Sequence, residues 1–234
     1  LRDVRTTVDD PRYQRVRQLL VRAVLDMAAA QPAETISVAQ LTSEAGVSRA
    51  SFYAHATSPA ALLADALIAE LRPNLDSLAQ QMTDDHADYV SLWRSIYLAL
   101  LSHVQRHRAV YEIVIAHETA VSSALTAYFE EAAAQYVGAV KVRLDGPPPG
   151  DLWVAMAISQ QAHNMIAVIR AWIVTGMAES PEQVVDVYLT LAPPWQLARP
   201  DADGRISLRR ARSYGPSRAR TSGQEPVDRQ APTT

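Results

Sequence analysis

The sequence has no cysteine among its 234 residues. That excludes a disulfide scaffold, a thiolate-bound zinc, a cysteine nucleophile and control by thiol redox. It has a single lysine, Lys141, against 21 arginines. With the abundant alanine, that imbalance reads as coding bias rather than chemistry. It has little net charge: 22 basic against 25 acidic residues leave −3, which on its own does not advertise a nucleic-acid binder. It also lacks an apolar run suited to lipid. The longest uncharged stretch, 152–169, carries Ser159, Gln160, Gln161, His163 and Asn164 at its middle, where polar groups are costly in a bilayer. A buried helix is the better reading, and no membrane partner is expected. Residues 1–15 are polar and charged, without the apolar centre of a leader, so a cytoplasmic location is expected. No Ser/His/Asp order, paired-carboxylate spacing or glycine-rich phosphate loop stands out. The expectation is a non-enzyme with no cofactor and no metal.

The charge is present but segregated. Residues 1–58 hold 7 arginines and 6 acids, a net of +1; residues 59–198 hold 7 basic and 15 acidic residues, a net of −8; residues 199–234 hold 8 arginines and 4 acids, a net of +4. An acidic body between neutral-to-basic ends is compatible with a small nucleic-acid-binding head on a larger regulatory body.

The pattern throughout is helical. Asp10-Pro11 starts a helix, with an N-cap and a proline in the first turn. Val16, Leu19, Leu20, Ala23, Val24, Met27 and Ala28 then recur at helical spacing, predicting one apolar face. Ser37 and Gln40 form the S-x-x-Q capping box of a short second helix. Val38, Leu41 and Ala45 form its inner side. Gly46 stops it, because a reversal within three or four residues favours a left-handed backbone position. Ser48 caps a third helix over 49–56, and Ser58-Pro59 starts a fourth with Leu62, Leu63, Ala66, Leu67 and Leu71 on one face. Pro73 should kink or break that helix. Two short capped helices around a glycine turn are a helix-turn-helix pattern.

The stretch Ser37-Val38-Ala39-Gln40-Leu41-Thr42-Ser43-Glu44-Ala45-Gly46-Val47-Ser48-Arg49-Ala50-Ser51-Phe52-Tyr53-Ala54-His55 resembles the DNA-binding head of TetR-family transcriptional regulators. The resemblance covers about residues 12–72. Ala171-Trp172, Gly176 and Ser180-Pro181-Glu182 are similar to the end of the C-terminal domain in the DhaS-like subgroup. The resemblance implies an all-α fold: an N-terminal three-helix helix-turn-helix head over 1–58 and a C-terminal helical bundle over 59–198. It implies double-stranded DNA as partner, with residues 48–55 as recognition helix in the major groove. Arg49 and Ala50 then face base edges, and Arg49 matches a guanine-reading position. Ser51 and Tyr53 match positions that touch phosphate, sugar or thymine methyl. His55 matches a phosphate contact. Ser37 and Ser48, with the free amides of their helices, would face the DNA backbone. Phe52 belongs in the core with Leu41 and Val47. Three departures stand out: Ala56 in place of Phe, Thr42 in place of a small Ala, and Pro59 in place of a Lys that would contact phosphate.

In the body, 74–82, 88–105, 108–116, 119–142, 151–176 and 182–191 read as helices, and Asp151 is placed to cap the fifth of these. Helix 151–176 is apolar on two faces, so it needs two partners. Trp153, Met156, Ala167, Val168 and Ala171 line one face. With Val184, Val185 and Tyr188 of the last helix they are the expected dimer surface, since the family is implied to form homodimers through its last two helices. The polar run Gln160, Gln161, His163, Asn164 needs partners if buried; a small-molecule effector, a dimer mate or water would each serve. Trp93, Tyr97, Tyr111 and Trp172 are candidate pocket walls beside Gln160, His163 and Asn164. His103 and His107, at i and i+4, share a helix face and with Glu112 or His117 have metal-ligating character. The flanking Arg106 and Arg108 oppose a cation, and a solvated helix end is preferred. Residues 199–234 read as an unstructured Arg/Pro-rich tail, whose Arg205, Arg209, Arg210, Arg212, Arg218 and Arg220 would add nonspecific attraction to DNA or merely solubility.

The expected function is a homodimeric DNA-binding regulator, a repressor released by an effector. The alternatives are an effector-independent activator or protein-controlled DNA binder and, last, an enzyme on a helical bundle.

Overall fold

The structure, a computed structural model, describes residues 10–81, 88–117, 119–197, 203 and 205–207. Among these, nine α-helices follow one another: α1 Pro11–Ala28, α2 Val38–Ala45, α3 Arg49–Tyr53, α4 Pro59–Gln81, α5 Tyr89–Arg106, α6 Arg108–Ala116, α7 Ala120–Lys141, α8 Asp151–Val174 and α9 Pro181–Leu191. The architecture is all-α, as the periodicity required. No helix of the described residues is long and apolar enough to cross a membrane.

Local signals set most of the boundaries. Asp10 accepts from the Arg12 amide at 2.8 Å and Pro11 opens α1. Three helices begin with capping boxes, Ser37 with Gln40, Thr119 with Ser122 and Ser180 with Gln183. Each box satisfies amides that the first turn leaves without partners.

The structure departs from the local expectation in three places. The expected break at Pro73 is absent: α4 runs through it to Gln81. Leu71 and Leu75 on either side are buried, and α4 is held between α5 and α7, which outweighs the missing amide. The third helix ends at Tyr53 instead of Ala56. The chain then tightens, with the amides of Ala54 and His55 bonding back to Ser51 and Phe52 carbonyls. Gly150, not Asp151, is the N-cap of α8; Asp151 is its first helical residue, where a negative charge faces the positive end of the helix.

Helices α1 to α3 and the start of α4 form the head. In the body α4 packs on α5 and α7, α7 on α8, and α5 on α9. Leu20, Leu41 and Phe52 of the head, Leu63 and Leu67 of α4, and Trp93, Phe129 and Ile169 of the body belong to one continuous apolar core. Thus α4 carries the head without an apolar discontinuity.

The expected unstructured tail does not begin cleanly at 199. Ile206 is fully buried. Its amide donates to the Arg143 carbonyl at 2.7 Å, and its carbonyl accepts from Asp145 at 2.9 Å. Arg205 donates to the Asp145 carboxylate at 3.3 Å and to the Leu144 carbonyl at 3.1 Å. The buried Ile206 and the bonds of Arg205 together hold this segment. Arg209, Arg210, Arg212, Arg218 and Arg220 lie outside the described residues.

Candidate nucleic-acid interface and the body sites

The head builds one exposed polar face. Gly46 has φ +63°, the left-handed conformation that a side chain would strain. Reversal there sets α3 against α2, and Phe52 is fully buried beneath with Leu41. One turn of spacing then leaves Arg49, Ala50 and Tyr53 outward on α3, with Tyr53 63% exposed. Tyr53 is a large aromatic left in water, which a plain packing role does not explain. Ser48 accepts from the Ser51 amide at 3.0 Å, and the two hydroxyls bond at 2.9 Å. Both serines are therefore ordered before any partner arrives. Ser37 accepts from the Gln40 amide at 3.2 Å, and Gln40 accepts from the Ser37 amide at 3.0 Å.

His55 is half-buried rather than projecting. Its ring lies 3.9 Å from that of Tyr13, and Tyr13 donates to the Ala54 carbonyl at 3.5 Å. Burial, then the nearby Arg17, lowers its pKa, favouring the neutral ring near neutral pH. Tyr13 was missed; nothing in its sequence neighbourhood ties it to a residue 42 positions on. Two of the three departures, Thr42 and Pro59, have local accounts. The Thr42 hydroxyl is buried but donates to the Val38 carbonyl at 2.8 Å, so it replaces Ala without leaving a polar group unsatisfied. Pro59 is the first residue of α4, where Ser58 caps the Ala61 amide at 3.1 Å.

The body does not assemble the expected effector pocket. Trp93, Tyr97, Tyr111 and Trp172 are buried, but Gln160 and His163 point to solvent and Asn164 is half-buried. The inward amide is Gln161, together with Gln196. One position on a helix turns a side chain by about 100°, so the polar run straddles the boundary of the buried face. Inside, Trp93 donates to the Tyr136 hydroxyl at 3.4 Å, Tyr136 to the Gln196 carbonyl at 3.0 Å, and Tyr188 to the Gln196 side chain at 2.8 Å. Tyr97 stacks on Tyr188 at 4.0 Å. The Tyr97 hydroxyl and both amide atoms of Gln161 are buried close to one another and to Tyr188, but without an aligned hydrogen bond. An interior pocket beside Leu71, Leu100, Phe129 and Met165 has a volume of only about 10 Å³, room for roughly one water.

The two expected surface sets converge elsewhere. Asn164, Ala167, Val168, Ala171 and Trp172 of α8 and Val184, Val187, Tyr188 and Leu191 of α9 line an open groove of about 430 Å³. Met156 and Ala167 are exposed, and Trp153 packs edge-on against Trp195 at 5.7 Å. Val185 departs from expectation. It is fully buried in the chain's own core, and Tyr188 is almost so, because α9 rests that side on α5.

His103 contradicts the expected solvated helix end. It is 2% exposed, while His107, the C-cap of α5, is half-buried. Burial first, then the neighbouring His107, pushes the pKa of His103 down to about 4. Glu70 of α4 sits between them. Burial alone would raise its carboxyl, but the His107 hydrogen bond and the surrounding positive groups hold it below the ordinary value. Arg108 donates to Glu112 at 2.7 Å, which engages the acid expected as a further ligand. His117 is the C-cap of α6 and exposed.

No protein-family model and no curated protein matches the sequence. Solved structures do resemble the fold. A TetR-family transcriptional regulator from Syntrophomonas wolfei str. Goettingen superposes with a TM-score of 0.55 at 15% identity, covering 76% of this chain and 93% of that one. The chain has the fold of the TetR-family transcriptional regulators. FadR from Bacillus subtilis, in complex with stearoyl-CoA, has the same TetR-type fold, with a TM-score of 0.52 at 9% identity over 74% of this chain and 96% of its own. The dihydroxyacetone kinase operon activator DhaS reaches a TM-score of 0.47 at 18% identity, covering 75% and 93%, too distant a superposition to assign a subgroup within the TetR-type fold.

Proposed function

We propose that the protein is a DNA-binding transcriptional regulator, not an enzyme, that works as a homodimer on a pseudo-palindromic operator. One observation carries this reading: a rigid, pre-capped α2–α3 pair that leaves Arg49, Ala50 and the exposed Tyr53 on one face. Arg49 would read a guanine. Ser37 and Ser48, with the amides at their helix starts, would hold phosphates. Ser51, Tyr53 and His55 would add backbone and methyl contacts. The two heads of a dimer would enter major-groove half-sites about 34–36 Å apart or a multiple of that.

The α8–α9 groove would be closed by the same groove of a second copy. Met156, Val174, Val187 and Leu191 are large apolar residues exposed on these two helices, and a self-complementary apolar patch suits a two-fold interface. Trp153, Ala167, Val168, Ala171 and Val184 complete that surface.

Effector release is the reading for the body. The Tyr97 hydroxyl and Gln161 amide, buried without an aligned hydrogen bond, would receive a small molecule with a polar group, beside Trp93, whose ring lies 6.0 Å from that of Tyr97. The interior pocket beside Leu71 and Phe129 is only about 10 Å³, so binding would favour an opened body, and α4 would pass the change to the head as a shift between two head spacings. The same small pocket supports a second reading, effector-independent activation or control through a protein partner.

Selection of bound DNA from a random pool tests the core of the proposal. A recovered palindrome supports it, and recovery of no preferred sequence overturns it. Adding candidate effectors to the selected operator then separates the two readings of the body.

A further inference from the structure

Glu70, His103 and His107 meet where α4 passes the C-terminal end of α5. The spacing of the two histidines puts both rings on one helix face, with centroids 4.8 Å apart. Glu70 Oε2 lies 3.2 Å from Nδ1 of His103 and 3.0 Å from Nε2 of His107. One ligand atom from each of the three lies within 4.8 Å of the other two. The packing around His103 makes this more than a surface ion pair. Its ring is buried edge-on against Tyr111 at 5.6 Å. Neither ring nitrogen has an aligned hydrogen bond: Nδ1 is near Glu70 but poorly directed, and Nε2 has no partner. Buried polar groups are rarely left so.

We propose that Glu70, His103 and His107 form a site for one divalent first-row transition-metal ion of the zinc class. Two imidazole nitrogens and one carboxylate oxygen suit zinc, cobalt or nickel, whereas calcium and magnesium take oxygen donors. Metal–ligand bonds of about 2.0–2.2 Å place tetrahedral ligand atoms about 3.3 Å apart. The two edges through Glu70 already match. The remaining edge closes when His107, at the end of its helix, turns inward. A fourth position stays open for water. Arg106 shares Glu70 Oε2 at 3.3 Å, but it is 64% exposed and free to swing outward when a cation takes its place. Because Glu70 is on the helix that leaves the head and both histidines are on α5, the metal would tie α4 to the body.

The site does not depend on DNA binding, so its test does not either. Untagged full-length protein is stripped with chelator and titrated with Zn(II) under equilibrium dialysis. One equivalent per chain is expected. Co(II) should give the visible absorption of a low-coordinate nitrogen and oxygen site. Glu70→Gln and His107→Gln, both at the rim and with folding checked by circular dichroism, should each weaken Zn(II) at least about tenfold. Failure of the wild-type chain to bind, or equal binding by the Glu70→Gln/His107→Gln double variant, would overturn the site.

Discussion

Head and body differ in how their polar groups are satisfied. In the head, Ser37, Gln40, Ser48, Ser51 and Thr42 all find partners within four residues, while Nδ1 of His55 is buried without one. In the body, Tyr97, Gln161 and His103 are buried with unsatisfied atoms. Locally closed bonds make a rigid surface, ready for a partner of fixed shape. Unclosed buried groups store a cost that a ligand, an ion or a rearrangement would remove. On the proposed function, the head would dock and the body would respond, on one continuous core.

The largest expected effect asks whether the two regions are separable at all. Phe52→Ala empties the centre of the head and should cost about 3–5 kcal/mol. All four tryptophans, Trp93, Trp153, Trp172 and Trp195, lie in the body. On heating, far-ultraviolet circular dichroism should lose head helicity before tryptophan fluorescence changes. Coincident transitions would show instead that the shared core makes one cooperative unit.

Next comes the groove. Ala171→Glu buries a charge wherever a second copy covers α8, yet leaves the monomer's exposed surface intact. Sedimentation should show monomers. Operator affinity should fall by about 100-fold or more, because the second head loses its high effective concentration. A dimer that persisted would move the interface away from α8 and α9. Arg49→Ala is smaller. Loss of a bidentate guanine contact is worth about 1–3 kcal/mol, or roughly 5- to 150-fold, and relaxes selectivity at one base of each half-site. A uniform loss across sequences would make Arg49 a phosphate contact.

The contrast also explains what could be read from the chain alone. The head was legible because its information is local: a cap three residues from its partner, a glycine at a reversal, an apolar step placing Phe52 inward. The helices of the body were legible by the same periodicity. Their rotation about their own axes was not. Gln161 rather than Gln160 faces the core, and Val185 turns in rather than out, because α5 and α7 decide which side is covered. Glu70 lies 37 residues from His107, and only the packing of α4 on α5 brings them together. Pro73 does not end α4 for the same reason: its local penalty is offset by the flanking burial of Leu71 and Leu75.

The smallest predicted effect is the most direct test of the contrast, because it applies one chemical change to both regions. Ser37 caps α2 in the head and Thr119 caps α7 in the body, each accepting from the third amide of its helix, at 3.2 and 3.0 Å. Replacing either by Ala should lower stability by about 1 kcal/mol, read as similar shifts of the denaturant midpoint. Their effects on DNA should differ. The α2 terminus would lie against phosphate, so Ser37→Ala should weaken operator binding several-fold, whereas Thr119→Ala should leave it unchanged. One link between the regions makes this result informative. Glu34, in the short turn before α2, accepts from the Ala120 amide at 2.7 Å, so the head also holds the start of α7. If Thr119→Ala weakened operator binding as much as Ser37→Ala, that link would be transmitting the state of the body to the head, and the coupling would run through α7 as well as α4.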